Sequence, residues 1–145
     1  MRVLVQRSGA ASVTVDKKIV GSINSGLVLL VGFTQGDDLE KVKFLARKCV
    51  NLRIFPDGND VMNKSLLDFG GDILSISQFT LYGDSQKGNR PSYVKALKND
   101  EAIALYEAFN NELRNLGVKV ENGIFGADMN VCLNNIGPTT ILLER

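Results

Sequence analysis

Valines at positions 3 and 5, and again at 13 and 15, recur at every second residue, the period of a half-buried β-strand. Asp16-Lys17-Lys18 predicts a turn, with a strand after it over 19–23. Asn24-Ser25-Gly26 predicts a second turn, leading into an apolar run over 27–33. That run has no polar face, so it reads as a central strand covered on both sides. Gly36-Asp37-Asp38 opens a helix, where an aspartate cap can accept free backbone N–H groups. Leu39, Val42, Leu45, Ala46 and Cys49 then recur at helical spacing, with Lys41, Lys43 and Lys48 between them. A short strand over 52–55 ends at Pro56-Asp57-Gly58, and a loop-rich stretch runs through Asn63 and Asp68 to Gly70-Gly71. The next strand, over 73–77, passes directly into Gln78-Phe79-Thr80-Leu81. A second helix over 100–116 carries Ile103, Tyr106, Phe109, Leu113 and Leu116 as its apolar stripe, with Gly117 as its stop. Strands over 118–120, 129–133 and 140–143 follow, the last two separated by a turn at Asn135-Ile136-Gly137-Pro138. Many strands and two main helices predict a single α+β domain over 1–145, its sheet mostly antiparallel and its helices on one side.

Composition narrows the chemistry. With 145 residues, the chain can bury roughly 70% of its unfolded surface and needs no disulfide or metal to fold. Seventeen basic against 16 acidic residues leave a net charge of +1, so any nucleic-acid contact must come from a local patch and no field for DNA exists. The histidine count is zero, which excludes Ser-His-Asp and Cys-His sites and histidine-bearing zinc motifs within the chain. Cys49 and Cys132 are too few and too far apart for a structural zinc site, and read as a reduced pair of small core residues. No metal or cofactor is expected. The first residues show no secretory signal, and no apolar run approaches the ~20 residues of a membrane helix, which points to the cytoplasm.

Four segments are candidates for function. Ser77, Gln78, Phe79 and Thr80 stand at a strand exit, where hydroxyls and freed N–H groups can face a substrate. Thr80 has the right atom for a nucleophile but no histidine to activate it. Gly137-Pro138 combines a permissive residue with a rigid one. Residues 85–98 carry Lys87, Arg90, Lys95 and Lys98 without an acid, suited to phosphate, and Tyr93 can stack on a base. Phe125, Gly126, Ala127 and Met129 offer a slot for a flat ring. Each has a plain alternative: a local turn, a solvated charged face, or ordinary core.

Their combination and order change the odds. Ser77-Gln78-Phe79-Thr80-Leu81 followed by Asn135-x-Gly137-Pro138-x-Thr140 resembles the D-aminoacyl-tRNA deacylase family. Met1-Arg2-Val3, Gln6-Arg7, Ala11-Ser12-Val13, Asn51-Leu52-Arg53-Ile54-Phe55, Lys87-Gly88-x-Arg90-Pro91-Ser92 and Phe125-Gly126-Ala127-Asp128-Met129 extend the likeness over the whole chain. The resemblance implies a barrel-like fold, a homodimer, and an active site at the subunit interface that hydrolyses the ester at the 3′ end of D-aminoacyl-tRNA. It implies action on glycine wrongly loaded onto alanine tRNA, and a cis Gly137-Pro138 bond that reaches into the partner's site. Arg7 is implied as the brace of that loop and Asn135 as part of it. Two positions depart from the family pattern: Tyr93 stands where phenylalanine is usual, and Ile136 where aspartate is usual.

These residues suit a site that polices handedness with backbone, because D and L esters carry the same groups and only the direction of the side chain differs. Backbone N–H groups near Phe79 and Thr80 would hold the oxyanion, Phe125 and Met129 the adenine, and Lys87 and Arg90 the phosphates. Two other readings stay open: a hydrolase of small D-amino-acid esters with Thr80 as nucleophile, and a non-catalytic module that binds RNA ends.

Overall fold

The computed structural model describes residues 1–145, the side chain of residue 99 apart. Strand β1 (Arg2–Val15) is the spine of a six-stranded sheet. Its first half pairs antiparallel with β3 (Gly26–Gly32) and its second half with β2 (Lys18–Ile23). The β1–β2 turn places Asp16 at φ 48° and Lys17 at φ 65°, the twist a two-residue hairpin requires. The other edge of β1 carries β8 (Asn130–Glu144) along almost its whole length. Strand β6 (Asp72–Ser77) joins β3 in parallel, and β7 (Val120–Asn122) joins β6 in parallel. Parallel neighbours need crossovers. Helix α1 (Leu39–Asn51) lies in the β3–β6 crossover and helix α3 (Asn99–Asn115) in the β6–β7 one.

The two helices pack on each other and on one face of the sheet, as the pattern predicts. Val42, Leu45, Ala46 and Cys49 of α1 and Tyr106, Phe109 and Leu113 of α3 meet Val3, Val5, Leu27, Leu29, Val31 and Ile73. A second core of Val13, Ile23, Val28, Leu74 and Ile76 fills the other face. That is why β3 is apolar throughout: its alternate side chains enter two different cores. The free ends of the sheet curl together, so that a Cβ on Gly21 of β2 would sit 3.0 Å from the Asn122 carbonyl oxygen of β7. The architecture is α+β with a nearly closed, barrel-like sheet.

Several expectations shift. The expected strand over 52–55 shrinks to β4 (Phe55–Pro56), which forms a small hairpin with β5 (Met62–Lys64). The loop-rich stretch also holds a one-turn helix, α2 (Leu66–Phe69). Its signal is legible afterwards: Ser65 and Asp68 form a reciprocal capping box. Strand β7 starts two residues later than the pattern suggests, at Val120. Cys49 is buried, but Cys132 is exposed, not core, because β8 turns that side chain to the outer face of an edge strand. The 135–138 segment does not divide β8 in two. Gln6 pairs with Thr140 and Ser8 with Asn135, so a two-residue step on β1 faces a five-residue step on β8, and the extra residues loop out as a bulge.

On the acid side, stability should depend on pH through carboxylates alone. Asp57, Asp68 and Asp84 are held below the usual carboxylate range, chiefly by N–H donors at Asn59 and Gln86 and by the Ser65 hydroxyl. Each therefore binds its proton more weakly folded than unfolded, so its contribution is present above about pH 4 and is lost as pH falls from there through the lower folded value. With no histidine in the chain, the urea midpoint should be flat between about pH 5 and 7 and should drop below about pH 4. A step in that midpoint near pH 6 would contradict the assignment.

Candidate active site

Strand β6 ends at Ser77, and the chain then turns tightly into a single 3₁₀ turn, Phe79–Tyr82. The segment is thus a strand exit, as its sequence predicts. Its entry is fixed by the Gln78 N–H, which donates to the Val31 carbonyl at 2.7 Å. The first N–H groups of such a turn have no acceptor within it. Those of Phe79 and Thr80 meet no other acceptor among the described residues. The turn lies directly on Gly32 of β3, where a Cβ would stand 2.9 Å from the Gln78 carbonyl oxygen. A lone glycine inside an apolar strand is the sequence signal for such a close approach.

Beside this turn is a cavity of ≈ 270 Å³. Ser77, Gln78 and Phe79 form one wall and Phe125, Gly126, Ala127 and Met129 another, with Leu97 and Ala102 also lining it. Asp128 also lines it. Gly126 takes φ +77°, which lets the second wall fold back on itself. Two of the sequence candidates therefore come together around one space. Thr80 stands exposed at the rim, and its hydroxyl accepts from the Gln78 side-chain amide. Among the described residues that amide is the sole side-chain partner of the hydroxyl, so no base stands ready to activate it.

Tyr106 of α3 ties β6, which leads to the first wall, to Phe125 of the second, a role the apolar stripe did not reveal. Its hydroxyl donates to the Ser75 carbonyl at 2.8 Å, and its ring lies 5.9 Å from that of Phe125. Burial pushes its hydroxyl pKa up, so it stays a donor.

The basic segment forms a closed loop beside the 3₁₀ turn. Asp84 and Ser92 exchange two backbone hydrogen bonds at 2.8 Å each, which pins its neck. Lys95 reaches back to the Asp84 carboxylate at 3.2 Å and is partly neutralised. Lys87 and Arg90 are exposed at the tip and make no ion pair among the described residues. Tyr93 packs edge-on against Phe79, ring centroids 5.1 Å apart, so the departure from phenylalanine leaves an aromatic rim intact.

The third group is elsewhere. Arg7, Asn135, Gly137 and Pro138 do not line the cavity. Arg7 pairs with Leu27 at the start of β3, whereas the cavity opens beyond its last residue, Gly32, the partner of Arg2. At 3.3 Å per residue the two places are about 17 Å apart along the strand. The bulge is well built. The Asn135 side-chain amide donates to the Arg7 and Thr139 carbonyls, both at 3.1 Å, and closes its neck. The Arg7 guanidinium donates to the Ile54 carbonyl at 2.7 Å and to the Gly137 carbonyl at 3.3 Å. Thr139 is buried, while Ile136, Gly137 and Pro138 are exposed at the tip, so the neck's bonding does not depend on the residue at 136. The Gly137-Pro138 peptide bond is cis.

Sequence and fold match known proteins along the whole chain. The family model described as D-Tyr-tRNA(Tyr) deacylase matches residues 4–144. A protein of Shouchella clausii named D-aminoacyl-tRNA deacylase is 58% identical over 144 residues, covering 99% of both chains. One of the same name from Thermus aquaticus is 51% identical, covering 99% of this chain and 95% of its own. A solved structure described as c-Myc DNA Unwinding Element Binding Protein superposes with TM-score 0.94 at 36% identity, covering 100% of this chain and 99% of that one. A probable eukaryotic D-amino acid tRNA deacylase shares the fold, with TM-score 0.83 at 20% identity, covering 98% and 97%. A family model over residues 4–144 and relatives more than half identical along the whole chain show that this chain belongs to the D-aminoacyl-tRNA deacylase family.

Proposed function

We propose that the protein hydrolyses the ester joining a D-amino acid, or glycine mischarged on alanine tRNA, to the terminal adenosine of tRNA in the cytoplasm. The working unit is a homodimer in which the Gly137-Pro138 bulge of one protomer enters the cavity of its partner. The observation that carries this is the separation within one chain: the cavity and the bulge are both elaborately held, yet stand about 17 Å apart along the sheet. An isologous contact joins each to the other's copy. Exposed Ile136, Val61 and Met62 near the bulge supply apolar surface for that contact.

Within such a site the adenine occupies the slot between Phe125 and Met129, with Gly126 and Ala127 allowing close approach. Lys87 and Arg90 meet the phosphates of the tRNA end. The ester carbonyl points at the N–H groups of Phe79 and Thr80. Water attacks the carbonyl carbon, and the negative charge that develops on oxygen is held by these donors, each worth about 3 kcal/mol. The C–O bond to the ribose then breaks, and the ribose oxygen takes up a proton, with the neighbouring 2′-OH placed to relay it. No acyl-enzyme forms. Main-chain atoms of Gly137 and Pro138 receive the substrate's ammonium and occupy the space an L side chain needs. A D side chain points away, and glycine has none, so both pass. The Gly137 carbonyl has a lone pair left for the ammonium beside the one Arg7 engages.

The test is deacylation of tRNA charged with D-Tyr, L-Tyr or glycine. Release of D-Tyr and glycine with L-Tyr spared is expected. Equal release of both enantiomers, or tight binding of uncharged tRNA without any release, would overturn the proposal. Thr80→Ala should retain turnover within about tenfold, since its N–H remains, whereas loss of a nucleophile costs several orders of magnitude. A covalent adduct trapped on Thr80 would replace water with the threonine hydroxyl. A 2′-deoxy terminal adenosine should react markedly more slowly.

A further inference from the structure

Arg2 lies outside the cavity and outside the bulge. From the geometry we infer that Arg2 is a positioning residue for the reaction: it clamps the 3₁₀ turn and so aims the Phe79 and Thr80 N–H groups. This rests on the donor role proposed above for those two groups.

The turn is held by two neighbouring residues of adjacent strands. One is Gly32, whose missing side chain lets the Gln78 carbonyl and the Leu81 side chain approach; a Cβ there would lie 2.9 Å and 3.2 Å from them. Next to it is its cross-strand partner, Arg2. Its Nη1 donates to the Leu81 carbonyl at 2.9 Å. The last carbonyls of a short helical turn have no acceptor role within it, so this bond fixes an otherwise loose end. The guanidinium also lies over the Tyr82 ring, 4.6 Å from its centroid, and Tyr82 is buried. Its remaining edge meets Glu144 at 3.1 Å. One planar group thus joins β1, the end of β8 and the turn.

Among these contacts the ion pair is the minor one. Arg2 and Glu144 side chains are 31% and 55% exposed, and pairs of that kind contribute little. The carbonyl bond and the ring contact need the fork and the plane of a guanidinium, which lysine lacks. Charge retention alone will not preserve the clamp. Donors to a developing oxyanion act through position, so loosening their turn costs rate more than substrate binding.

The experiment compares Arg2→Met, Arg2→Lys and Glu144→Gln in the full-length protein, with D-Tyr-tRNA as substrate. Three readouts are taken: kcat and KM, hydrogen exchange of the Leu81 and Gly83 amides, and melting temperature. Those two amides are bonded within the turn, to the Gln78 and Thr80 carbonyls at 3.3 Å and 2.9 Å, and so report its order. Arg2→Met should lower kcat on the order of tenfold to 100-fold with KM within about twofold, and both amides should exchange faster. Arg2→Lys should fall between, and Glu144→Gln should match the unaltered protein. Equal effects of Arg2→Met and Glu144→Gln would reduce Arg2 to one half of an ion pair and overturn the inference. So would unchanged amide exchange in a folded Arg2→Met protein. Faster exchange with unaltered kcat would remove the donor role of the turn itself, a separate failure that takes the inference with it.

Discussion

Gly137→Ala should fold as the unaltered protein does and lose most of its deacylase activity. A Cβ at Gly137 meets nothing within 4 Å in its own chain, and its φ lies outside the left-handed range. The added methyl therefore creates no clash within the protomer, and reduced freedom of the unfolded chain offsets any small loss, so melting should shift by at most a few degrees. The space that methyl enters belongs, in the proposed dimer, to the partner's substrate. There it displaces the substituents on the substrate's α-carbon by about a bond length, and misplacement of that size costs on the order of 100-fold in kcat/KM. The neck held by Asn135 and Arg7 is undisturbed, so the effect is local to the tip. Mixed dimers make the test sharper. Combining Gly137→Ala protomers with protomers blocked in the cavity by Ala127→Phe leaves half of the dimers with one intact site, or about a quarter of full activity. Recovery of activity on mixing two inactive proteins requires that cavity and bulge act across the interface. If Gly137→Ala retains its rate and its D/L ratio, the bulge does not police the substrate; if mixing restores nothing, it does not do so in trans.

The sequence revealed the parts of this site better than their arrangement. The apolar run over 27–33 identified the central strand because both of its faces are buried, and the Asp38 cap and the 3.6-residue spacing identified α1. The antiparallel pairing of β1 with β2 follows from the short turn between them, whereas the expected turn at Asn24-Ser25-Gly26 is only a bend: β3 carries on in the direction of β2 along the same strand, β1. The parallel joins of β6 and β7 carry no local mark, since register across a long crossover is decided by packing. The same holds for the bulge. Asn135-Ile136-Gly137-Pro138 reads locally as a turn between strands, and only the Gln6–Thr140 pairing beyond it shows that one strand continues. Cys132 was misjudged because a cysteine on an edge strand carries the same letter as one in the core. Arg2 gave no signal beyond its place in a motif, because the turn it holds comes about 80 residues later in the chain.

Asp37→Asn should destabilise the protein by about 3–5 kcal/mol, roughly 10–16 °C in melting temperature at this chain length. Its carboxylate has no exposed side-chain surface and accepts from three donors: the Met1 ammonium at 2.7 Å, the Thr34 N–H at 2.8 Å and the Lys41 ammonium at 3.1 Å. Asparagine keeps the size and one oxygen, so the Thr34 bond can survive. The charge does not survive, and the Met1 ammonium is left with the Arg145 carbonyl, at 2.8 Å, as its remaining acceptor. An unpaired charge held in the interior is what makes removal of one partner so costly. The contrast is with Asp38 next to it, which caps α1 by accepting from the Lys41 N–H at 2.9 Å in an exposed position; Asp38→Ala should cost about 1 kcal/mol. A second readout separates loss of charge from general loosening. Tyr82 is pushed up to about 12 mainly by burial, with the Asp37 charge adding to it, so in Asp37→Asn its ultraviolet titration should move down slightly and stay above the ordinary tyrosine value. A melting temperature within about 2 °C of the unaltered protein would show that the ion pair is not what holds the β3–α1 connection to the start of β1. A Tyr82 titration that falls all the way to the ordinary value would show instead that the helix end had opened to water.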